Sequence, residues 1–236
     1  MDDAAVAELP SCNVLACIID KVILCYVKAC YLMLNLIWYF QLYLGSVIAA
    51  KDKELLKRLK IGHVLNAANG CPCSFPDEVI YHCCYLDDEV EVDLSPHFAT
   101  CYDFIGMYLE FASRFMNTIF NSLRKENGLN NDGAVLVHCE AGISRSSSIV
   151  LSYLMRKKGM TLEEAFLHTR CKKPNVNPTI FCPFSLIIFL FQIGPNIGFF
   201  KQLMAYEQSL FGKTSFSVED YYTATFVRFG DVESCV

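Results

Sequence analysis

From residue 42 to residue 212 the chain alternates short apolar runs with segments in which apolar residues recur every three or four positions. That alternation marks an α/β domain, with strands interleaved among amphipathic helices. Leu55, Leu56 and Leu59 stand among lysines over 51–59 and predict a short helix with one buried stripe. Residues 64–68 and 79–86 read as strands. Ser95 followed by Pro96 has the chemistry of an N-cap and first helical position, opening a helix through Phe104, Tyr108 and Phe111. A polar turn is expected at 128–133, and the all-apolar 134–137 reads as a strand buried on both faces. The helix over 147–158 should end at Gly159. Thr161 and Glu164 supply a capping box for the next helix, which includes Ala165, Phe166 and His168. A last helix is expected over 199–211.

Two stretches are more apolar than this pattern needs. Residues 29–50 form a run of 22 without a formal charge, long enough to span a bilayer core of roughly 30 Å. The preceding flank is acidic (Asp2, Asp3, Glu8), unlike the basic start of a secretory signal. Lys51, Lys53, Lys57, Arg58 and Lys60 follow, so a true span would leave the remainder in the cytosol. The last third of the run, including LYLGS at 42–46, reads instead as the first strand of the domain, and one segment cannot be both lipid-embedded and part of a sheet. The expected organisation is an apolar N-terminal extension over 1–40, the folded domain over 41–212 and a C-terminal tail over 213–236. Membrane association through 14–41 is the disfavoured alternative; the expected location is cytoplasmic, with the nucleus second. Residues 174–200 are also uncharged, but their apolar centre at 184–193 is too short to cross a membrane, and Pro178, Pro183 and Pro195 punctuate them. An apolar insertion over about 179–195, packed on the surface or left as an exposed patch prone to aggregation, is expected there.

Composition narrows the function classes. Charged residues make up 19% and hydrophobic residues 53%, with mean hydropathy +0.31, which excludes disorder as the main state. A net charge of −5 removes the basic surplus of a non-specific nucleic-acid binder. The 13 cysteines, odd in number and irregular in spacing, read as reduced thiols rather than a disulfide scaffold.

The chemistry concentrates in AVLVHCEAGISRSSS, residues 134–148. A buried strand runs into His138-Cys139, five residues follow, and Arg145-Ser146 leads into a helix. A loop at a helix N-terminus aims several backbone N–H groups inward and makes a nest for a phosphate dianion. A cysteine at its base has its thiolate favoured by those donors and by the helix dipole. Arg145 can fork onto two phosphate oxygens as a lysine cannot. Ser146 can donate a hydrogen bond to the sulfur. An inert buried cysteine beside a histidine would need no arginine at 145. A second group should protonate the leaving oxygen, and Asp87 and Asp88, where a strand ends and a polar loop begins, are both placed for it.

His138-Cys139-EAGIS-Arg145-Ser146 resembles the H-C-x5-R-[ST] signature of the protein tyrosine phosphatase superfamily. LYLGS, HVLNAA, YLMRKKGMTLEEA and PNIGFFKQL are similar, in the same order, to core segments of dual-specificity phosphatases. The larger tyrosine-only domains would need a Trp-Pro-Asp loop, and the single tryptophan, Trp38, lies far from the aspartates. The resemblance implies a compact α/β domain with a central mixed, mostly parallel sheet flanked by helices. It also implies hydrolysis of phosphotyrosine and phosphoserine/threonine in proteins, MAP kinases among them, at a shallow pocket and through a phosphocysteine on Cys139. Counting back from Leu94-Ser95 assigns the general acid to Asp88. Arg145 and the loop residues Glu140, Ala141, Gly142, Ile143 and Ser144 would bind the phosphate, His138 would orient the loop, and Ser146 would assist release of the sulfur. No metal or organic cofactor is needed. LLKRLKI around Arg58 is a docking candidate for a kinase that equally reads as an amphipathic helix. The insertion over 179–195 departs from the family pattern and puts the packing of the last helix in question; the apolar stretch before Tyr39 has no counterpart either.

Other readings compete. A phosphoinositide phosphatase shares the chemistry, but Glu140 and the lack of a basic residue before Arg145 suit singly phosphorylated side chains. A phosphate-binding pseudophosphatase adaptor would ordinarily have lost the nucleophile, arginine or acid, and all three positions are filled. A zinc module from Cys71, Cys73, His82, Cys83 and Cys84 is disfavoured, because Cys71-Pro-Cys73 is not a usual tetrahedral spacing and adjacent strand residues face opposite ways. A reactive thiolate also oxidises readily, with Cys83, Cys84 or Cys171 as the conceivable resolving partner.

Overall fold

In the computed structural model, which describes residues 16–23, 38–114, 134–172 and 193–226, four parallel strands and one antiparallel edge strand make a sheet. The strands are β1 (Ala16–Ile23), β2 (Trp38–Ser46), β3 (Ile61–Asn66), β4 (Ile80–Cys83) and β5 (Ala134–Cys139), in the spatial order β1-β2-β5-β3-β4. β1 alone runs antiparallel, against β2. The described helices are α1 (Val47–Lys51), α2 (Lys53–Arg58), α3 (His97–Arg114), α4 (Arg145–Lys158), α5 (Leu162–Lys172), α6 (Ile197–Phe211) and α7 (Val218–Phe226). The expected mixed, mostly parallel sheet flanked by helices is what the chain forms.

Alternation of side chains along the strands sets the layers. Leu42, Leu44, Leu65, Val135 and Val137 share one apolar core with Ile105, Leu151, Phe166 and Phe200 of α3 to α6. Tyr43, Val64 and Leu136 face the other way and pack with Ala50, Leu56 and Val79. β5 is buried throughout, as its unbroken apolar run requires. In register, Ser46 of β2 stands opposite Cys139 and Asn66 of β3 opposite His138. The carboxyl ends of three parallel strands therefore meet at the loop after β5, where open α/β sheets hold their ligands.

Most expected elements are present with shifted ends. The 51–59 segment contains α2, whose N-cap Asp52 accepts from Leu55 N at 2.9 Å. LLKRLKI runs from the packed part of α2 into the start of β3, and its first two leucines, Leu55 and Leu56, are buried and unavailable to a docking partner. β4 stops at Cys83 because Tyr85 takes a left-handed φ of 45° that turns the chain out of the sheet. α3 starts at His97, and Ser95 uses its N and Oγ on Asp93 Oδ1 (3.0 and 2.6 Å) in the turn before it. Gly159 closes α4 with φ 67°, and the capping box is reciprocal: Thr161 N to Glu164 Oε2 at 2.9 Å and Glu164 N to Thr161 Oγ1 at 3.2 Å. The turn expected at 128–133 lies outside the described residues.

Residues 38–46 of the uncharged 29–50 run form β2, an interior strand with Leu42 and Leu44 fully buried, and residues 47–50 lie in α1. No helix among the described residues is long and apolar enough to cross a membrane. Despite the insertion before it, α6 packs closely, with Phe199, Phe200 and Leu203 buried. The segment after 212 contains α7, whose Tyr221 stacks on Phe200 (centroids 4.0 Å, planes 19° apart) and donates its hydroxyl to the Pro195 carbonyl at 2.5 Å.

One fully buried carboxylate joins this helical layer. Glu207 Oε1 accepts from Leu162 N (2.7 Å) and Ser215 Oγ (2.6 Å), and Oε2 accepts from Ser215 N (2.8 Å). Glu207→Ala would strand the buried Leu162 N–H and leave the partly buried Ser215 N–H without its acceptor. It is expected to lower stability by about 3 kcal/mol in urea denaturation; a change under about 0.5 kcal/mol, the size of an ordinary surface substitution, would contradict that role.

Candidate active site

β5 delivers Cys139 to the sheet edge and α4 begins at Arg145, so residues 140–144 must curl over the sulfur. Gly142 makes the curl possible: its φ is +75°, and a Cβ there would lie 2.6 Å from the Gly45 carbonyl oxygen. Its N–H donates to Cys139 Sγ at 3.2 Å, and Ser146 Oγ donates to the same sulfur at 3.1 Å. His138 is buried behind the loop with Nδ1 3.2 Å from the Cys139 carbonyl oxygen, and burial pushes its pKa down. The imidazole therefore supports the loop backbone as a neutral group.

Ser144 is the N-cap of α4, yet its hydroxyl makes no cap bond. It donates instead to Asp88 Oδ1 at 2.6 Å and accepts from Asn196 N at 2.9 Å. The first amides of α4 are thus left without a side-chain cap at the positive end of the helix, the arrangement that receives an anion. Arg145 is 7% exposed. Its Nη1 donates to the Leu86 carbonyl at 3.0 Å, and Nη2 lies 3.6 Å from Glu140 Oε2. Nε is buried without a hydrogen bond, 3.5 Å from Asp88 Oδ2. A buried guanidinium N–H left this way is costly unless an acceptor arrives.

Asp88 is the carboxylate that faces the loop, held at Oδ1 by Ser144 and by Asn196 Nδ2 at 2.8 Å. Asp87 meets Asn69 Nδ2 at 3.2 Å instead. The acid-bearing loop is clamped by the start of α6. Asn196 accepts from Phe199 N at 2.9 Å as the helix cap, and its Nδ2 also reaches the Glu89 carbonyl at 3.3 Å. Gly198 passes so near the loop that a Cβ would lie 2.0 Å from the Val90 carbonyl oxygen. Gln202, one turn on, holds Leu94 N at 2.7 Å and the Val92 carbonyl at 2.8 Å.

Cys139, Arg145, Asp88 and Ser146 are therefore brought together as expected, with Glu140 and Ala141 exposed on the rim. The end of the 179–195 segment also belongs here: Ile193 is buried and Gly194 N donates to the Ile143 carbonyl at 3.0 Å. Residues 179–192 lie outside the described part. Asn196, Gly198 and Gln202 have no catalytic signature in the sequence, although the Asn and Gly of PNIGFF mark a helix start. The expected resolving thiols are placed otherwise: Cys83 sits 3.3 Å from Cys73 and Cys84 3.4 Å from Cys101, while Cys171 is exposed on α5. The thiol whose surroundings include Glu140, Arg145 and Cys139 is half-buried Cys71, its pKa pushed up chiefly by burial and next by Glu140.

Comparison with known proteins agrees with this geometry. The family described as dual specificity phosphatase, catalytic domain, matches residues 42–189. The chain is 33% identical over 169 residues to dual specificity protein phosphatase 1 of Arabidopsis thaliana, covering 72% of this chain and 67% of that protein. It is 32% identical over 169 residues to human dual specificity protein phosphatase 4, covering 72% of this chain and 34% of that one. Human DUSP28 superposes with a TM-score of 0.52 at 27% identity, over 72% of this chain and 89% of that chain. Human tyrosine phosphatase-like serine/threonine/tyrosine-interacting protein gives 0.52 at 25% identity, over 71% and 91%.

The loop geometry makes Gly142→Ala the sharpest test of the anion nest. The methyl would meet the Gly45 carbonyl and the left-handed φ, at a cost of about 1–3 kcal/mol. Phosphate or tungstate affinity by calorimetry should fall at least about tenfold, the equivalent of 1.4 kcal/mol. Unchanged affinity would show that the loop does not hold the anion.

Proposed function

This chain belongs to the dual specificity phosphatase family and is a protein phosphatase, and we propose that Cys139, Arg145, Asp88 and Ser146 carry its chemistry. Cys139 attacks phosphorus, the bond to the side-chain oxygen breaks, and a phosphocysteine forms. The Nε and Nη2 of Arg145, with the backbone amides of 140–145, hold the equatorial oxygens as charge builds on them. Asp88, oriented by Ser144 and Asn196, gives a proton to the departing oxygen and then takes one from the water that attacks the phosphocysteine. Ser146 steadies the sulfur as it leaves. The observation that carries this reading is a buried arginine at the mouth of an uncapped helix, its Nε without a hydrogen bond and facing Asp88 at 3.5 Å. Nucleophile, acid, base and charge stabiliser are each supplied by a group of the chain itself.

The proposed substrates are phosphotyrosine and phosphoserine/threonine in proteins, with MAP kinases first on the strength of the family resemblance. Glu140 places a carboxylate 3.6 Å from Arg145, which disfavours a second phosphate beside the first and hence phosphoinositides. The adaptor reading loses ground because nucleophile, arginine and acid converge. The proposed setting is the cytoplasm, where 13 cysteines would stay reduced.

Cys139→Ser should abolish turnover of phosphopeptides while retaining phosphate binding. Asp88→Ala should lower kcat by about 10²- to 10⁴-fold, most for serine and threonine esters and least for aryl esters with acidic leaving groups. Asn196→Ala should shift the same leaving-group dependence by a smaller factor. Equal rates for wild type and Asp88→Ala on a phosphoserine peptide would refute the assignment, and faster turnover of phosphoinositides than of phosphopeptides would reverse the substrate class.

A further inference from the structure

Away from the catalytic loop, β4 and α3 bring His82, Cys84 and Cys101 together, with one ring nitrogen and two Sγ atoms all within 4.8 Å of one another. Strand periodicity explains the grouping. His82 and Cys84 are two residues apart and share a face, whereas Cys83 between them meets Cys73. Cys101 approaches from α3 with its Sγ 3.4 Å from that of Cys84. Both thiols are buried, at 5% and 1% exposure. The His82 ring is stacked on Phe104 (centroids 5.3 Å, planes 26° apart), and its Nε2 is buried with no hydrogen-bond partner. A histidine serving only as core filling would ordinarily satisfy that nitrogen.

We propose that His82, Cys84 and Cys101 bind a zinc-class divalent cation, with a solvent molecule completing the tetrahedron. Two metal–sulfur bonds of about 2.3 Å at a tetrahedral angle set the sulfurs about 3.8 Å apart, whereas a disulfide brings them to about 2.05 Å. The observed 3.4 Å is much nearer the first. Two thiolates and one neutral imidazole balance a dication, as a buried site demands. On binding, the two thiols lose their protons to solvent, two metal–sulfur bonds form, and the His82 imidazole contributes a lone pair with no change of oxidation state. Such a site is structural. It fastens the end of β4 to α3 immediately before Tyr85 and Leu86, and the Leu86 carbonyl is what holds Arg145 Nη1. The ligands come from a strand and from a helix further along the chain, so no local cysteine spacing announces them.

The test uses the full chain, reduced and stripped of metal with a chelator, then titrated anaerobically with cobalt(II) and cadmium(II). A single ion per chain is expected, with sulfur-to-metal charge-transfer absorption and the strong visible bands of tetrahedral cobalt. His82→Phe preserves an aromatic ring beside Phe104 and should weaken binding by at least about tenfold, with the circular dichroism of the metal-free protein unchanged. Cys84→Ser combined with Cys101→Ser should remove the charge-transfer band. Cys73→Ser combined with Cys83→Ser should leave it. Absence of uptake by the wild-type chain would overturn the proposal. So would a band that survives loss of Cys84 and Cys101, or His82→Phe binding as tightly as wild type.

Discussion

The hydroxyl of Ser144 is the junction on which the site depends. Placed at the N-cap of α4, it would ordinarily satisfy one of that helix's free amides. Here it is used on Asp88 and Asn196 instead, and two consequences follow together. The positive end of α4 is left open toward Cys139, and the carboxylate of a distant loop is drawn to within ion-pair distance of Arg145. Anion affinity and acid placement are therefore coupled through one side chain, which the α6 clamp holds from the other side.

The parallel sheet makes that junction possible. Pairing of Ser46 with Cys139 and of Asn66 with His138 stacks three strand ends at one level. The loop after β5 can then lean on the Gly45 backbone, and the loops after β3 and β4 reach the same rim. The acid loop is restrained at both ends: Tyr85 turns it out of β4, and Gln202 fixes it before α3. A proposed metal site at His82, Cys84 and Cys101 would stiffen the first of these ends.

The α/β pattern, the buried strand at β5 and the strand–loop–helix around Cys139 were legible because each is local: apolar runs, a capping box and a helix-opening loop sit within a few residues of one another. The choice between Asp87 and Asp88 was not local. It depends on Ser144 and Asn196, which approach from other elements. For the same reason Asn196, Gly198 and Gln202 read as an ordinary helix start, since their loop-clamping role exists only once α6 lies against residues 88–94. α7 was hidden by its short, mixed composition and is held by contacts of Tyr221 with Phe166 and Phe200. In LLKRLKI the amphipathic-helix reading was legible from the spacing of its leucines, and packing claims Leu55 and Leu56.

The central claim is covalent: Cys139 carries the phosphoryl group between substrate and water. Rapid-quench mass spectrometry of the wild-type protein turning over a phosphopeptide tests it most directly. The account predicts an adduct of about 80 Da on the peptide containing Cys139, formed within the first turnover and decaying no slower than kcat. Sustained turnover with that peptide never modified, or with the phosphoryl group found on another residue, would contradict it.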